Sequence, residues 1–129
     1  MATGAVTIDV PAPPDDVWAV VGDFCKIDAL LSGVESFRCD GDVRIIGIDG
    51  LELTERLLER DHDARVLRYG IVAGLPVDHH EATISVAPAG DGTGASTVTW
   101  RFEVLPDERV PGMTATYTGL LEALRTQFS

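Results

Sequence analysis

Between Val34 and Val104 the sequence repeats one pattern: short segments of alternating apolar and polar residues, separated by turn-forming residues. The turns are "DGD", "DG", "DHDA", "AGLPV" and "APAGDGTGA". Alternation with a period of two is typical of half-buried β-strands, and Asp-Gly and Gly-rich connections are typical of hairpins. The pattern therefore predicts six consecutive antiparallel strands. A meander of that length curls and has one face to bury.

The flanking segments predict one more strand and three helices. "AVTIDV" alternates, whereas "PAPPDDVWAVVGDF" begins with Pro and Asp and has Gly22 near its end, as short helices do. "CKIDALL" predicts a second short helix. The C-terminal segment places apolar residues on one helical face, namely Met113, Tyr117, Leu120, Leu121, Leu124 and Phe128. We therefore expect a single α+β domain, residues 1–129, with a curved antiparallel sheet of about seven strands wrapped around the last helix.

Charge and composition exclude several classes of partner. Ten basic and 21 acidic residues give a net charge of −11, and the basic residues are scattered. Nucleic acids and anionic membranes are bound by clustered Lys and Arg, so neither is an expected partner. The N-terminus has no charged segment followed by an apolar one, and the longest apolar run is "VWAVV". We therefore expect a cytoplasmic protein without a signal peptide. The oligomeric state is not indicated.

The cysteines and histidines indicate neither a metal site nor a cofactor. Cys25 and Cys39 have no local Cys-His signature, so we expect small, buried, reduced residues and not nucleophiles. His79 is expected to face solvent, and His62 lies in the "DHDA" turn, so no metal-ligand spacing is present. "GDGTG" lies in a predicted hairpin turn and does not open a helix, which argues against a phosphate loop.

Polar side chains are predicted on the inner face of the sheet. Alternation groups His80 with Ala82, Ile84 and Val86, Tyr69 with Leu67 and Ile71, and Glu55 with Leu53 and Leu57. "VRIIGI" is apolar on both faces, so its register is open; one register turns Arg44 inward with Ile46 and Ile48.

A carboxylate in an apolar stripe must pair, hydrogen-bond or shift its pKa. Arg44 and Glu55 lie on consecutive strands and are plausible cross-strand or diagonal neighbours. Two interpretations stay open: a structural salt bridge inside a filled barrel, or a pair that lines a ligand pocket. We expect Glu55, Arg44, His80 and Tyr69 as catalytic candidates. The predicted ligand contacts are Ile46, Leu53, Leu57, Ile71, Ala82, Met113 and Tyr117.

Motifs along nearly the whole chain carry a resemblance to a known superfamily. They are "APPDDVWAVVGDF", "LLSGVESF", "DVRIIGIDG", "LTERLLERD", "VLRYGIV", "LPVDHHEATISV" and "STVTW". The sequence resembles the START-like (SRPBCC) superfamily, which has the birch-allergen fold, and within it the bacterial polyketide cyclase/dehydratase-like group. The resemblance implies a helix-grip fold. It does not imply one function, because the superfamily holds enzymes, hormone receptors and lipid carriers.

Two groups of relatives add expectations for individual residues. Lachrymatory-factor synthases are similar, and the resemblance implies a chemical role for Arg44 and Glu55 and a pocket position for Tyr69. A second pocket tyrosine of that group falls at His80. Plant abscisic-acid receptors are similar at "TERL", but their gate and latch loops are replaced here by "IDG" and "LPV", which argues against a gated receptor. Alternation turns Trp100 inward, whereas comparison with these receptors turns Thr99 and Arg101 inward.

The sequence leaves three hypotheses for function. The first is a cofactor-independent acid–base enzyme of the cyclase, dehydratase or isomerase type, acting on a small hydrophobic molecule. In this hypothesis Glu55 transfers the proton and Arg44 fixes the geometry of Glu55. His80 and Tyr69 act as second acid–base or orienting groups. The second is a carrier or sensor of a hydrophobic metabolite. The third is an interaction module with a filled cavity.

Overall fold

The computed structural model describes residues 2–129 and contains seven strands and two α-helices. Short 3-10 segments, Phe24–Leu30 and Asp107–Arg109, precede β2 and the last helix. The elements are β1 (Ala2–Val10), α1 (Pro14–Val21), β2 (Val34–Asp40), β3 (Val43–Ile48), β4 (Leu51–Asp61), β5 (Val66–Ala73), β6 (His79–Pro88), β7 (Ser96–Leu105) and α2 (Val110–Gln127).

The strands form one antiparallel sheet in the order β1-β7-β6-β5-β4-β3-β2. β2 to β7 are the six strands predicted from the turn spacing, and β1 pairs with β7 along its whole length. The β3–β4 turn shows why its residues specify a hairpin. Asp49 and Gly50 both have positive φ, at 52° and 75°, which is the requirement of a tight type I′ connection. The predicted curved sheet with a long C-terminal helix is confirmed.

The core lies between the inner face of the sheet and α2. Alternate residues of β6 and β7 are buried, and α2 contributes Met113, Tyr117, Leu120, Leu121 and Leu124, as its spacing predicts. Phe128 is only half-buried because it is the C-cap residue, just past the last helical turn. Burial of this apolar face is the main stabilisation of the domain.

Residue Trp100 resolves the open register of β7. Its side chain is 1% exposed on the inner face, whereas Arg101 is exposed on the outer face. The alternation pattern is therefore correct, and the placement of Thr99 and Arg101 by comparison with the plant receptors is wrong. The reason is that β7 alternates without a bulge along its pairing with both neighbours.

The expectation of two reduced, buried cysteines is wrong. Cys25 and Cys39 form a disulfide, with their Cα atoms 5.4 Å apart, and Cys25 is exposed. The bond joins the 3-10 segment Phe24–Leu30 to β2, which pack side by side only in the folded chain. Disulfides are uncommon in reducing compartments, so the cysteines no longer support the expected cytoplasmic location.

None of the helices within residues 2–129 has the length and apolar character needed to cross a bilayer.

A hydrogen bond between Trp18 and His62 ties the β4–β5 turn to α1. The Nε1–H of Trp18 donates to Nδ1 of His62 at 3.0 Å, and the two rings meet edge to face. We expect His62→Ala to lower the free energy of unfolding by about 1 kcal/mol, because Trp18 then loses its acceptor in a partly buried place. Urea unfolding measures the loss. In a Trp18→Phe background the same substitution should cost much less, and full additivity would contradict the assignment.

Candidate functional site

The site is built around a buried ion pair on neighbouring strands. Arg44 on β3 and Glu55 on β4 are direct cross-strand partners, and they are 2% and 6% exposed. Nε of Arg44 donates to Oε1 of Glu55 at 2.7 Å, and Nη1 donates to the backbone carbonyl of Phe24 at 2.9 Å. Charge-assisted hydrogen bonds of this length offset part of the desolvation cost of both groups.

Two aromatic rings hold the guanidinium of Arg44 in place. Its Cζ atom lies 4.1 Å from the ring centroid of Phe24 and 4.8 Å from that of Tyr69. Guanidinium groups stack favourably on aromatic faces, and stacking restricts the side chain to one plane. The orientation of the Glu55 carboxylate is therefore set by a side chain that is itself fixed on several sides.

The second oxygen of Glu55 is available to a ligand. Oε2 accepts no hydrogen bond from any of residues 2–129. Within residues 2–129, Nε1 of Trp100 is the one side-chain N or O atom that is both fully enclosed and without a hydrogen-bond partner. Oε2 also has no partner, so it is not fully enclosed. Since Glu55 is almost completely buried and lines an internal cavity, Oε2 faces that cavity.

The cavity has a volume of about 350 Å³ and lies between the sheet and α2. This size is within the range of small-molecule sites. Eight of the predicted site residues line it: Arg44, Glu55, Tyr69, Ile46, Leu53, Ile71, Met113 and Tyr117. The lining residues that are exposed mark its mouth, between the β3–β4 turn and the first turns of α2: Asp49, Leu51, Gly112 and Thr116.

Three predicted site residues lie outside the cavity lining. Leu57 and Ala82 are the cross-strand partners of Tyr69 on either side, and the Tyr69 ring, not their side chains, faces the cavity. His80 is buried behind Tyr117 and reaches the cavity only through that residue. Alternation predicted the correct face of the sheet. It could not predict which side chains on that face are covered by larger neighbours.

A hydrogen-bond network connects His80 to the cavity wall. The backbone N–H of Ile71 donates to Nδ1 of His80 at 3.2 Å, which makes Nδ1 the acceptor nitrogen of the ring. The proton of neutral His80 is therefore on Nε2, which donates to Oη of Tyr117 at 2.6 Å. The hydroxyl of Tyr69 also donates to Oη of Tyr117, at 3.3 Å.

Burial keeps the members of this network uncharged. Burial is the larger cause, and electrostatic repulsion from neighbouring His79 the smaller one, of a pKa of His80 lowered to about 4. Burial likewise raises the pKa of Tyr69 and of Tyr117; the charge of Glu55 adds to the rise in Tyr69, and contact with Tyr69 adds to the rise in Tyr117. The buried part of the cavity wall therefore presents one ion pair and otherwise neutral donors at neutral pH. The other ionisable residues of the lining are exposed Asp49 and half-buried Arg109.

Two residues that shape the site, Trp100 in the cavity lining and Phe24 behind Arg44, were not among the predicted site residues. Trp100 stacks on Tyr117 with centroids 4.6 Å apart, and Phe24 supplies both a ring and a carbonyl to Arg44. The inward position of Trp100 was one of two open alternatives. Phe24 carried no signal, because its contact with Arg44 joins segments that only folding brings together.

One cluster of potential metal ligands lies on the outer face of the sheet. Ligand atoms of His79, Glu81 and Glu103 all fall within 4.8 Å of one another, the only such group in residues 2–129. His79 and Glu103 are already paired at 3.0 Å, and Glu81 lies 3.5 Å from Arg68. The cluster is on the opposite side of the sheet from the cavity. Half-exposed His79 thus has a carboxylate partner that the sequence did not predict.

Comparison with known proteins identifies the family. Residues 1–128 match the family model described as "Polyketide cyclase / dehydrase and lipid transport". No curated protein matches the chain significantly. Among solved structures, XoxI from Bacillus cereus is 26% identical with a TM-score of 0.88, over 99% of this chain and 96% of that one.

Two further structures agree with this result. A protein from Thermobifida fusca is 31% identical with a TM-score of 0.82, over 99% of this chain and 93% of that one. A START superfamily protein from Mycobacterium smegmatis is 13% identical with a TM-score of 0.79, over 98% and 96% of the two chains, and shows the shared fold. Proteins of this family bind small hydrophobic ligands. The chain described here belongs to the polyketide cyclase/dehydrase and lipid transport family and has the START-like fold.

Proposed function

We propose that this protein is a cofactor-independent acid–base enzyme of the cyclase, dehydratase or isomerase type, acting on a small, mostly apolar molecule in the cavity. The observation that carries the proposal is the state of Glu55. Its Oε1 is held by Arg44 at 2.7 Å, whereas its Oε2 is unpartnered and faces the cavity. A general base needs this combination of a fixed orientation and a free lone pair.

The chemistry available to this carboxylate is transfer of a proton from and to carbon. Glu55 would take a proton from an activated C–H bond, and the electron pair of that bond would move into the substrate. Return of the proton at another atom completes an isomerisation, and departure of hydroxide, which takes up the proton as water, completes a dehydration. Arg44 would keep the carboxylate in line, and the apolar lining would keep bulk water from competing for the proton. His80 would act as an orienting group through Tyr117.

A carrier or sensor of a hydrophobic metabolite is the second candidate. It is favoured by the fact that polar groups of the lining already find partners within the protein: Arg44 with Glu55 and Phe24, and Tyr117 with His80. A wall in which these polar groups are paired within the protein accepts apolar molecules at little cost.

Glu55→Gln separates the two functions. The amide oxygen can still accept from Arg44 Nε, but an amide cannot take up the proton. Wild type, Glu55→Gln and the control Glu59→Gln, an exposed position on the same strand, are each incubated with small-molecule extract and followed by untargeted mass spectrometry. The enzyme proposal expects a product mass with wild type and the control but not with Glu55→Gln, which still retains the substrate. Retention of the same compounds by all three proteins, with no new mass, would overturn it in favour of a carrier.

A further inference from the structure

The hydroxyl of Tyr117 receives donors on both of its lone pairs. Nε2–H of His80 donates at 2.6 Å and the hydroxyl of Tyr69 donates at 3.3 Å. A phenolic oxygen has little further acceptor capacity once two donors are in place, so the group can take part in one more strong interaction only as a donor. Its proton has within reach only Sδ of Met113 at 3.9 Å, and a thioether is a weak acceptor.

The ring of Tyr117 cannot easily turn away from this position. It stacks on Trp100 at 4.6 Å and 19°, and it contacts Phe102 at a centroid distance of 5.2 Å. Tyr117 is 4% exposed and lines the same cavity that Oε2 of Glu55 faces. The poorly satisfied proton of Tyr117 is thus held at the wall of a ligand-sized space.

Donation into a hydroxyl strengthens the hydrogen bond that the hydroxyl makes in turn. Two donors acting on Tyr117 through buried hydrogen bonds therefore favour an acceptor oxygen of a bound molecule over the sulfur of Met113. The charge of that acceptor can also be inferred. Among the buried residues of the wall, Arg44 is already neutralised by Glu55 and His80 is neutral, so the surroundings of Tyr117 offer no uncompensated buried cation to a carboxylate ligand. The other cation of the lining, Arg109, is only half-buried and directly precedes α2.

We propose that Tyr117 is the hydrogen-bond donor to a neutral carbonyl oxygen of the ligand, and that His80 and Tyr69 are positioning residues that aim and polarise its hydroxyl. This assignment rests on the proposed function for its catalytic meaning. When Glu55 takes a proton from the carbon next to the carbonyl, the C–H electron pair forms the carbon–carbon double bond. The carbonyl π pair moves to oxygen, where the Tyr117 hydroxyl stabilises the enolate. Return of the proton from Glu55 restores the balance.

The test uses 1-tetralone, a small apolar ketone, with tetralin and 1-naphthoate as analogues that lack the carbonyl or carry a charge. We expect wild type to bind 1-tetralone more tightly than either analogue. Tyr117→Phe should weaken 1-tetralone by about fivefold, the worth of one hydrogen bond, and leave tetralin unchanged. With carbonyl-¹³C 1-tetralone, the bound resonance should shift downfield in wild type and return toward the free position in Tyr117→Phe.

Further variants test the positioning residues without touching the donor. Tyr69→Phe and His80→Leu should each reduce the ¹³C shift, and His80→Gln, which keeps an N–H donor, should restore more of it than His80→Leu. A purely structural role for His80 would alter stability but not this resonance. These variants also keep the test decisive if Tyr117→Phe does not fold.

Exchange of the α-hydrogens of 1-tetralone in D₂O, followed by ¹H NMR, separates this inference from the proposed function. Binding and a ¹³C shift that depend on Tyr117, without exchange above the buffer rate, would uphold the donor and overturn Glu55 as base. Three outcomes would each overturn Tyr117 as the donor. Wild type could fail to bind 1-tetralone, or it could bind 1-tetralone and tetralin equally. The third is that Tyr117→Phe changes neither the binding of 1-tetralone nor its ¹³C resonance. Exchange that is lost in Glu55→Gln and slowed in Tyr117→Phe would support both.

Discussion

Replacement of Glu55 by leucine is expected to lower the free energy of unfolding by about 3–5 kcal/mol, the usual cost of leaving one partner of a buried ion pair alone. The guanidinium of Arg44 would stay enclosed, 2% exposed between the rings of Phe24 and Tyr69, with no carboxylate to balance its charge. Arginine does not escape this cost by losing its proton. Urea unfolding at neutral pH, with the slope checked for two-state behaviour, measures the loss.

The double variant Arg44→Met/Glu55→Leu is the matched control. It removes both charges, so most of the stability should return. We expect it to fall short of wild type by about 1 kcal/mol, because the carbonyl of Phe24 loses the Nη1 donor of Arg44. A double variant that loses the sum of both single losses would show that the two residues do not act as a pair. Recovery would show that the pair is not needed for folding.

Acidification is expected to destabilise the protein through His80. Its pKa is about 4 in the folded state, against an ordinary value near 6.5, so the unfolded chain binds a proton first as the pH falls. The stability that comes from neutral His80 is therefore complete above about pH 6.5 and is lost as the pH falls toward 4. The loss reaches roughly 3 kcal/mol at pH 4, because each tenfold difference in proton affinity between the folded and unfolded chains is worth about 1.4 kcal/mol.

The variant His80→Gln isolates this contribution. Carboxylates also titrate in acid, but most of their effect is common to both proteins and cancels in the difference. Urea unfolding at pH 7, 5.5 and 4 should show the gap between wild type and variant changing in favour of the variant as the pH falls. A gap that is constant with pH would contradict a neutral buried histidine. The groups around the ring are consistent with neutrality: it contacts the Ile71 N–H and the Tyr117 hydroxyl, and the neighbouring ionisable group that acts on its pKa, His79, disfavours a second positive charge.

The cavity and its ion pair show how far local pattern reaches. The alternation in β4 and β6 correctly predicts that Glu55 and His80 point inward, and it uses only the residues of those two strands. The register of β3 was open because both of its faces are apolar. Arg44 could therefore be turned inward only as one alternative, and the direct cross-strand pairing with Glu55 decides for it. Alternation also predicted Leu57 and Ala82 as ligand contacts, and neither lines the cavity. The pattern gives the face of the sheet on which a side chain lies, but not whether a larger neighbour covers it.

The sequence by itself determined the order of the elements, the antiparallel meander and the inward face of most strands, because each depends on the periodicity and turn residues of a few neighbouring positions. The tertiary structure alone decided the Cys25–Cys39 disulfide, the bond from Trp18 to His62 and the position of His80 behind Tyr117. Each of these joins segments that are distant in sequence. Their distances depend on how the helices pack across the curved sheet, and that packing is set by many side chains acting together.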